Sequence, residues 1–93
     1  MTKYLLRLYI AGMTPAARRA IENLEALTAD MATQDQELQV EVVDILERPQ
    51  LAEDERILAT PVVVRKLPLP VRRVVGDLSE RERVLVGLDI LER

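Results

Sequence analysis

The side chains that carry most nucleophilic and redox chemistry are missing from this chain of 93 residues, which has no cysteine and no histidine. Without a thiol there is no thiolate nucleophile and no disulfide exchange. Without histidine no Ser–His pair can form, and a Cys/His metal site is ruled out as well. Neither a phosphate loop nor a glycine-rich dinucleotide turn is present. Carboxylates remain. Glu53, Asp54 and Glu55 are adjacent on one short segment, a run that reads as the solvated face of a helix rather than as an acid–base pair. Asp44 ends the alternating stretch from Leu38 to Val43 and is suited to cap the turn that follows it. Thr60-Pro61 stands before three valines, where a proline can open a strand. An X–Pro bond adopts the cis form at little cost, and Pro61 is our cis-proline candidate. No catalytic residue, metal ligand or cofactor site emerges, so the chemistry left to the chain is binding.

Charge supplies the first hint of what is bound. The formal net charge is only −3, but it is unevenly distributed. From Glu22 to Glu55 there are eleven acids and one base, Arg48. From Arg56 to Arg73 there are five bases (Arg56, Arg65, Lys66, Arg72 and Arg73) and no acid. Two ordinary solvated faces would account for this. So would a polarised surface that steers an acidic partner or a second copy of the chain. Nucleic acid is a poor fit, because the basic stretch lacks interleaved aromatics and the chain is not basic as a whole.

These groups must be positioned by a small set of elements. Leu5 to Ile10 is an apolar run broken only by Arg7, short enough for a central strand. Thr14 is a candidate N-cap with Pro15 at the first helical position. Ala17, Ala20, Ile21, Leu24, Leu27 and Met31 then recur at helical spacing. Leu38, Val40 and Val42 alternate with Gln39, Glu41 and Val43 as in a half-buried strand. This strand–helix–strand run implies a right-handed parallel unit. Pro49 opens a short helical segment in which Leu51 and Leu58 flank the acids Glu53, Asp54 and Glu55, and Val62 to Val64 reads as strand. Leu67-Pro68-Leu69-Pro70 is a turn. Val71 to Val75 is a further strand closed by Gly76-Asp77. Ser79 and Glu82 have the spacing of a capping box, and Val84, Leu85, Leu88 and Leu91 share one helical face. The order is β-α-β-α-β-β-α, that of an α/β thioredoxin-like domain. Where such a domain would keep its redox thiolate, this chain reads Ala11-Gly12-Met13-Thr14-Pro15.

One segment reads two ways. Val84, Val86, Leu88 and Ile90 also alternate strictly, and Gly87 weakens a helix by about 1 kcal/mol relative to alanine. Its local preferences lie close to balance between helix and strand.

Length and composition predict a single domain over residues 1–93. The core must be aliphatic, since Tyr4 and Tyr9 are the only aromatics. So small a domain is marginally stable, and with no disulfide its support is expected from self-association or a partner. Met1-Thr2-Lys3-Tyr4 runs straight into a strand-like stretch with no cleavage pattern, and no apolar run reaches membrane-spanning length. A cytoplasmic protein with no membrane partner is expected.

Five motifs occur in order. They are Leu8-Tyr9-Ile10-Ala11-Gly12-Met13-Thr14-Pro15; Val43-Asp44-Ile45 with Pro49-Gln50-Leu51-Ala52; Ile57-Leu58-Ala59-Thr60-Pro61; Pro70-Val71-Arg72-Arg73 with Gly76-Asp77-Leu78-Ser79; and Val84-Leu85-Val86-Gly87-Leu88-Asp89. With them the chain resembles the KaiB family. The resemblance implies a non-enzymatic regulator that binds KaiC, a hexameric ATPase and kinase ring, and modulates its phosphorylation cycle in circadian timing or stress adaptation. It implies further partners of the KaiA or histidine-kinase type. It also implies two folds: a thioredoxin-like monomer that binds KaiC, and a homotetrameric ground state ordered β-α-β-β-α-α-β. Gly87 and Asp89 match positions that the family uses to balance the two. Arg72 and Arg73 match its basic positions and, with Arg56 and Arg65, are the partner-binding candidates. Two alternatives stand beside this reading. One is a thioredoxin-like redox enzyme, disfavoured by the missing cysteine. The other is a stand-alone sensor module resembling the KaiB-like domain of a clock histidine kinase. Between the two folds, Pro49, Val62 to Val64 and the Ser79–Glu82 pair favour the thioredoxin-like one, and Gly87→Ala is expected to favour its last helix by about 1 kcal/mol.

Overall fold

The computed structural model describes residues 2–91. In chain order the elements are β1 (Thr2–Ile10), α1 (Pro15–Ala32), β2 (Gln36–Asp44), α2 (Pro49–Asp54), β3 (Val62–Leu67), β4 (Arg72–Val75) and α3 (Arg81–Gly87). This is the predicted β-α-β-α-β-β-α order. The strands form one sheet in the order β2-β1-β3-β4. β1 runs parallel to β2, from Thr2↔Gln36 to Ile10↔Asp44, and antiparallel to β3, while β4 returns antiparallel along β3.

α1 begins as its sequence dictates. Thr14 Oγ1 accepts a hydrogen bond from the Ala17 amide at 3.0 Å, and Pro15 occupies the first turn. Ala17, Ala20, Leu24, Leu27 and Met31 form its buried stripe. The two alanines allow close approach to the sheet, and the longer side chains fill the space beyond. With α3, this helix covers one face of the sheet, burying Tyr4, Leu6, Leu8, Ile10, Leu38, Val63 and Val74 together with Val84, Leu85, Leu88 and Ile90. Burying each large aliphatic side chain is worth roughly 1.5–3 kcal/mol. The opposite face holds a smaller core of Tyr9, Val43, Val62 and Val64, packed against Ile45, Leu51 and Ile57. Strand alternation thus divides β1 and the three valines of β3 between two cores. Among the described residues, no helix is long and apolar enough to cross a membrane.

The second half of the chain departs from the sequence reading at three points. The Ser79–Glu82 capping box does not form. Glu80 is the N-cap residue, with no side-chain cap bond, and the Ser79 amide instead donates to Asp77 Oδ1 at 3.1 Å. A local Asx turn has taken the donor that the capping box needed. α3 also stops at Gly87. Asp89 adopts φ +54°, which turns the chain, so Ile90 is buried where helical spacing placed Leu91, and Leu91 is exposed. Leu58, read with Leu51 as flanking the acids of the Pro49 helical segment, lies outside α2 and is 96% exposed.

Candidate functional site

The predicted binding residues converge only in part. β4 is an edge strand, and neighbouring strand residues point to opposite faces. Val74 faces the α1/α3 core, so Arg72 shares its side and Arg73 projects to the other. Arg72 is exposed and makes no side-chain hydrogen bond or ion pair among the described residues. Arg73 is occupied. Its Nη2 donates to the Glu55 carbonyl, its Nη1 donates to the Arg56 carbonyl at 3.4 Å, and the guanidinium lies 4.0 Å from the Glu55 carboxylate. Arg73 therefore braces the turn after α2, where Arg56 adopts φ +53° and leaves its own side chain in solvent.

Arg65 does not belong to this exposed set. It is 3% exposed and donates to the main-chain carbonyls of Asp89 at 3.1 Å and Pro70 at 2.9 Å. The sequence placed it with the partner-binding residues because it lies in the acid-free stretch. The fold turns it inward instead, beneath α3 and the loop before β4, so it offers no charge to a partner in this arrangement.

A charged ladder that the sequence did not single out crosses the half of the sheet left open by α2. Arg7 on β1 reaches Glu41 on β2 at 3.4 Å and Tyr9 Oη at 3.2 Å. Lys66 on β3 pairs with Glu55. Burial holds the Lys66 ammonium below its ordinary range, and the guanidiniums of Arg7 and Arg73 push the same way, opposed by Glu41. A trace of this ladder exists in the sequence, since Arg7 and Tyr9 share strand parity, but the partners lie far along the chain. Glu55, read as part of a solvated acidic face, is the acceptor for both Lys66 and Arg73.

At the other end of the sheet Asp44 plays its capping role. Its Oδ1 accepts from the amides of Gly12 at 3.1 Å and Leu46 at 2.9 Å, tying the turn after β2 to the loop before α1. Gly12 has φ +74°, which suits glycine. The Thr60–Pro61 peptide bond is cis, and Pro61 is buried at the start of β3. Gly87 closes α3 against β4, where a Cβ built on it would overlap Val74 Cγ2. Asp89 follows in its left-handed turn. Among the described residues, no group of three or more carboxylate, thiol or imidazole side chains could hold a metal ion.

Residues 7–90 match the family model described as the KaiB domain. The chain belongs to the KaiB family. Curated relatives agree. The circadian clock oscillator protein KaiB of Synechococcus elongatus is 49% identical over 92 residues, covering 95% of this chain and 84% of the relative. The Prochlorococcus marinus protein of the same name is 52% identical over 89 residues, covering 95% of this chain and 74% of its own length. Among solved structures, the N-terminal domain of Synechococcus elongatus SasA superposes with a TM-score of 0.75 at 21% identity, over 100% of this chain and 90% of that one. Mitochondrial thioredoxin 3 of Saccharomyces cerevisiae reaches the same TM-score of 0.75 at 15% identity, over 98% and 81% of the two chains. The fold of this KaiB-family chain is thus thioredoxin-like, and Ala11 to Thr14 stand at the start of its first helix without a thiol.

Proposed function

We propose that the chain is a non-enzymatic KaiB-type regulator. It binds a KaiC-like hexameric ATPase ring and modulates that ring's phosphorylation cycle, in circadian timing or in stress adaptation. Membership of the KaiB family, whose curated relatives are circadian clock oscillator proteins, carries this reading. The exposed bases Arg56, Arg72 and Arg73 form the contact, with Arg72 the freest of them. Gly87 and Asp89 set the balance between the thioredoxin-like arrangement and a self-associated one, and KaiA-like proteins or a histidine kinase are later partners.

The test is binding to a purified KaiC-type hexamer at two salt concentrations. Arg72→Glu should weaken binding about tenfold at low salt and flatten its salt dependence, since rim charges act through long-range attraction. The Arg72→Glu/Arg73→Glu pair should weaken it further. Arg73→Glu by itself also removes the brace on the turn after α2, so Arg72 is the cleaner probe. Binding as tight as wild type by the double reversal at low salt would make the basic edge a solvated surface only. As a control on the redox alternative, pure protein should leave a disulfide substrate such as insulin intact, because no sulfur nucleophile exists to attack it.

A further inference from the structure

Two polar side chains are buried in this core, and both point at the same short stretch of chain. Gln36, 2% exposed, and Arg65, 3% exposed, are the buried polar residues among those described. Gln36 at the start of β2 donates from Nε2 to the Leu91 carbonyl at 3.0 Å. Arg65 on β3 donates from Nη1 to the Asp89 carbonyl and from Nη2 to the Pro70 carbonyl. β2 and β3 flank β1, so the two side chains approach the segment after α3 from either side of the central strand.

Packing alone does not account for them. Gln36 Oε1 and Arg65 Nε are both buried without a hydrogen-bond partner, and leaving such atoms unpaired is costly. Leucine or methionine would fill either place with no orphaned atom and no buried charge. What an apolar side chain would not supply is a donor to main-chain carbonyls. α3 ends at Gly87, so the carbonyls just beyond it lack helical partners. Between them, Leu88 and Ile90 are buried, while Asp89 and Leu91 are exposed. The segment is thus held by two apolar plugs and by bonds from the two buried polar side chains.

We propose that Gln36 and Arg65 form a latch that fastens residues 88–91 to the sheet and sets how often this segment opens by itself while the rest of the domain stays folded. Its acceptors lie outside the sheet ladder, so release breaks no strand pairing. Opening lifts Leu88 and Ile90 from the core they share with Tyr4, Leu6 and Leu38. The latch is independent of any partner.

Native-state amide hydrogen exchange on the full chain tests it, using Gln36→Leu and the charge-keeping Arg65→Lys, which replaces the forked guanidinium by a single ammonium without emptying the site. The reporters are the amides of Leu88 and Ile90, bonded at 2.9 Å to the carbonyls of Val84 and Leu85. These should exchange about fivefold faster or more in each variant, while the amides of Leu6 and Leu8 in β1 change less than about twofold. Equal acceleration at α3 and β1 would make the two residues ordinary contributors to global stability and overturn the latch. Unchanged exchange at Leu88 and Ile90 in either variant would overturn it too.

Discussion

At the scale of single residues, type and neighbourhood in sequence decided some roles and burial decided others. Asp44 was legible because a carboxylate after a strand has amides within local reach, and it accepts two of them. Arg65 and Arg72 lie in the same acid-free stretch, yet one is sealed under the segment after α3 and the other stands free. Only the pairing of β3 with β4 and the end of α3 separate them. Asp77 shows how a local turn is tied to a distant helix. Its Oδ1 accepts from the Ser79 amide and its Oδ2 from Arg19 Nε, each at 3.1 Å. The hydrogen bonds from Ser79, and then that from Arg19, hold the carboxyl below its ordinary value of 3.8. A depressed carboxyl pKa contributes stability that is complete above the ordinary value and is lost as pH falls through the folded-state value. Denaturant unfolding of wild type and Asp77→Asn should therefore show a gap at neutral pH that narrows below 3.8. A gap that stays constant with pH would mean that the carboxylate's charge has no role there.

At the scale of elements, α1 could be read almost to the residue, because its cap, its proline and its buried stripe are all local and all agree. α3 could not. Its start was lost to the Asp77 turn, and its end is set by Asp89 and by contact with β4, neither of which periodicity registers. Gly87 is the sharpest case. Helix propensity predicts that alanine there strengthens α3 by about 1 kcal/mol. The structure sets against this an overlap between the new Cβ and Val74 Cγ2, and valine has little rotamer freedom with which to yield. The two effects separate in a double-mutant cycle. Gly87→Ala should be more favourable in a Val74→Ala background than in wild type, with a coupling of about 1 kcal/mol or more by denaturant unfolding. Additive effects would show that Val74 turns aside freely and that propensity alone governs the position.

At the scale of the whole molecule, apolar surface is divided unequally. The exposed large hydrophobics among the described residues are Met13, Val42, Leu46, Leu58, Leu67, Leu69, Val71, Val75, Val86 and Leu91, so eight of the ten lie beyond β2. The first three elements bury their apolar residues well, whereas the second half leaves many of its own in water. Such a half has a reason to find another arrangement or a partner. The KaiB resemblance implies both, with a tetramer in which the stretch from Ile57 to Leu67 turns largely helical. Against that rearrangement stand Val62, Val63 and Val64, buried on both faces of the sheet with Val62 and Val64 in the core around Tyr9. A gap of a few kcal/mol is the size at which one sequence holds two folds. A self-associated form, if the chain has one, would be favoured by mass action as concentration rises. In dilute solution, backbone chemical shifts should be strand-like over 62–67 and helical over 81–87, and light scattering should give a monomer mass. On concentrating, any tetramer that appears should bring helical shifts to 57–67 and strand shifts to 84–90 together, while shifts in α1 stay fixed. A tetramer whose shifts match the monomer's would mean that association uses the exposed apolar surface as it stands and requires no second fold.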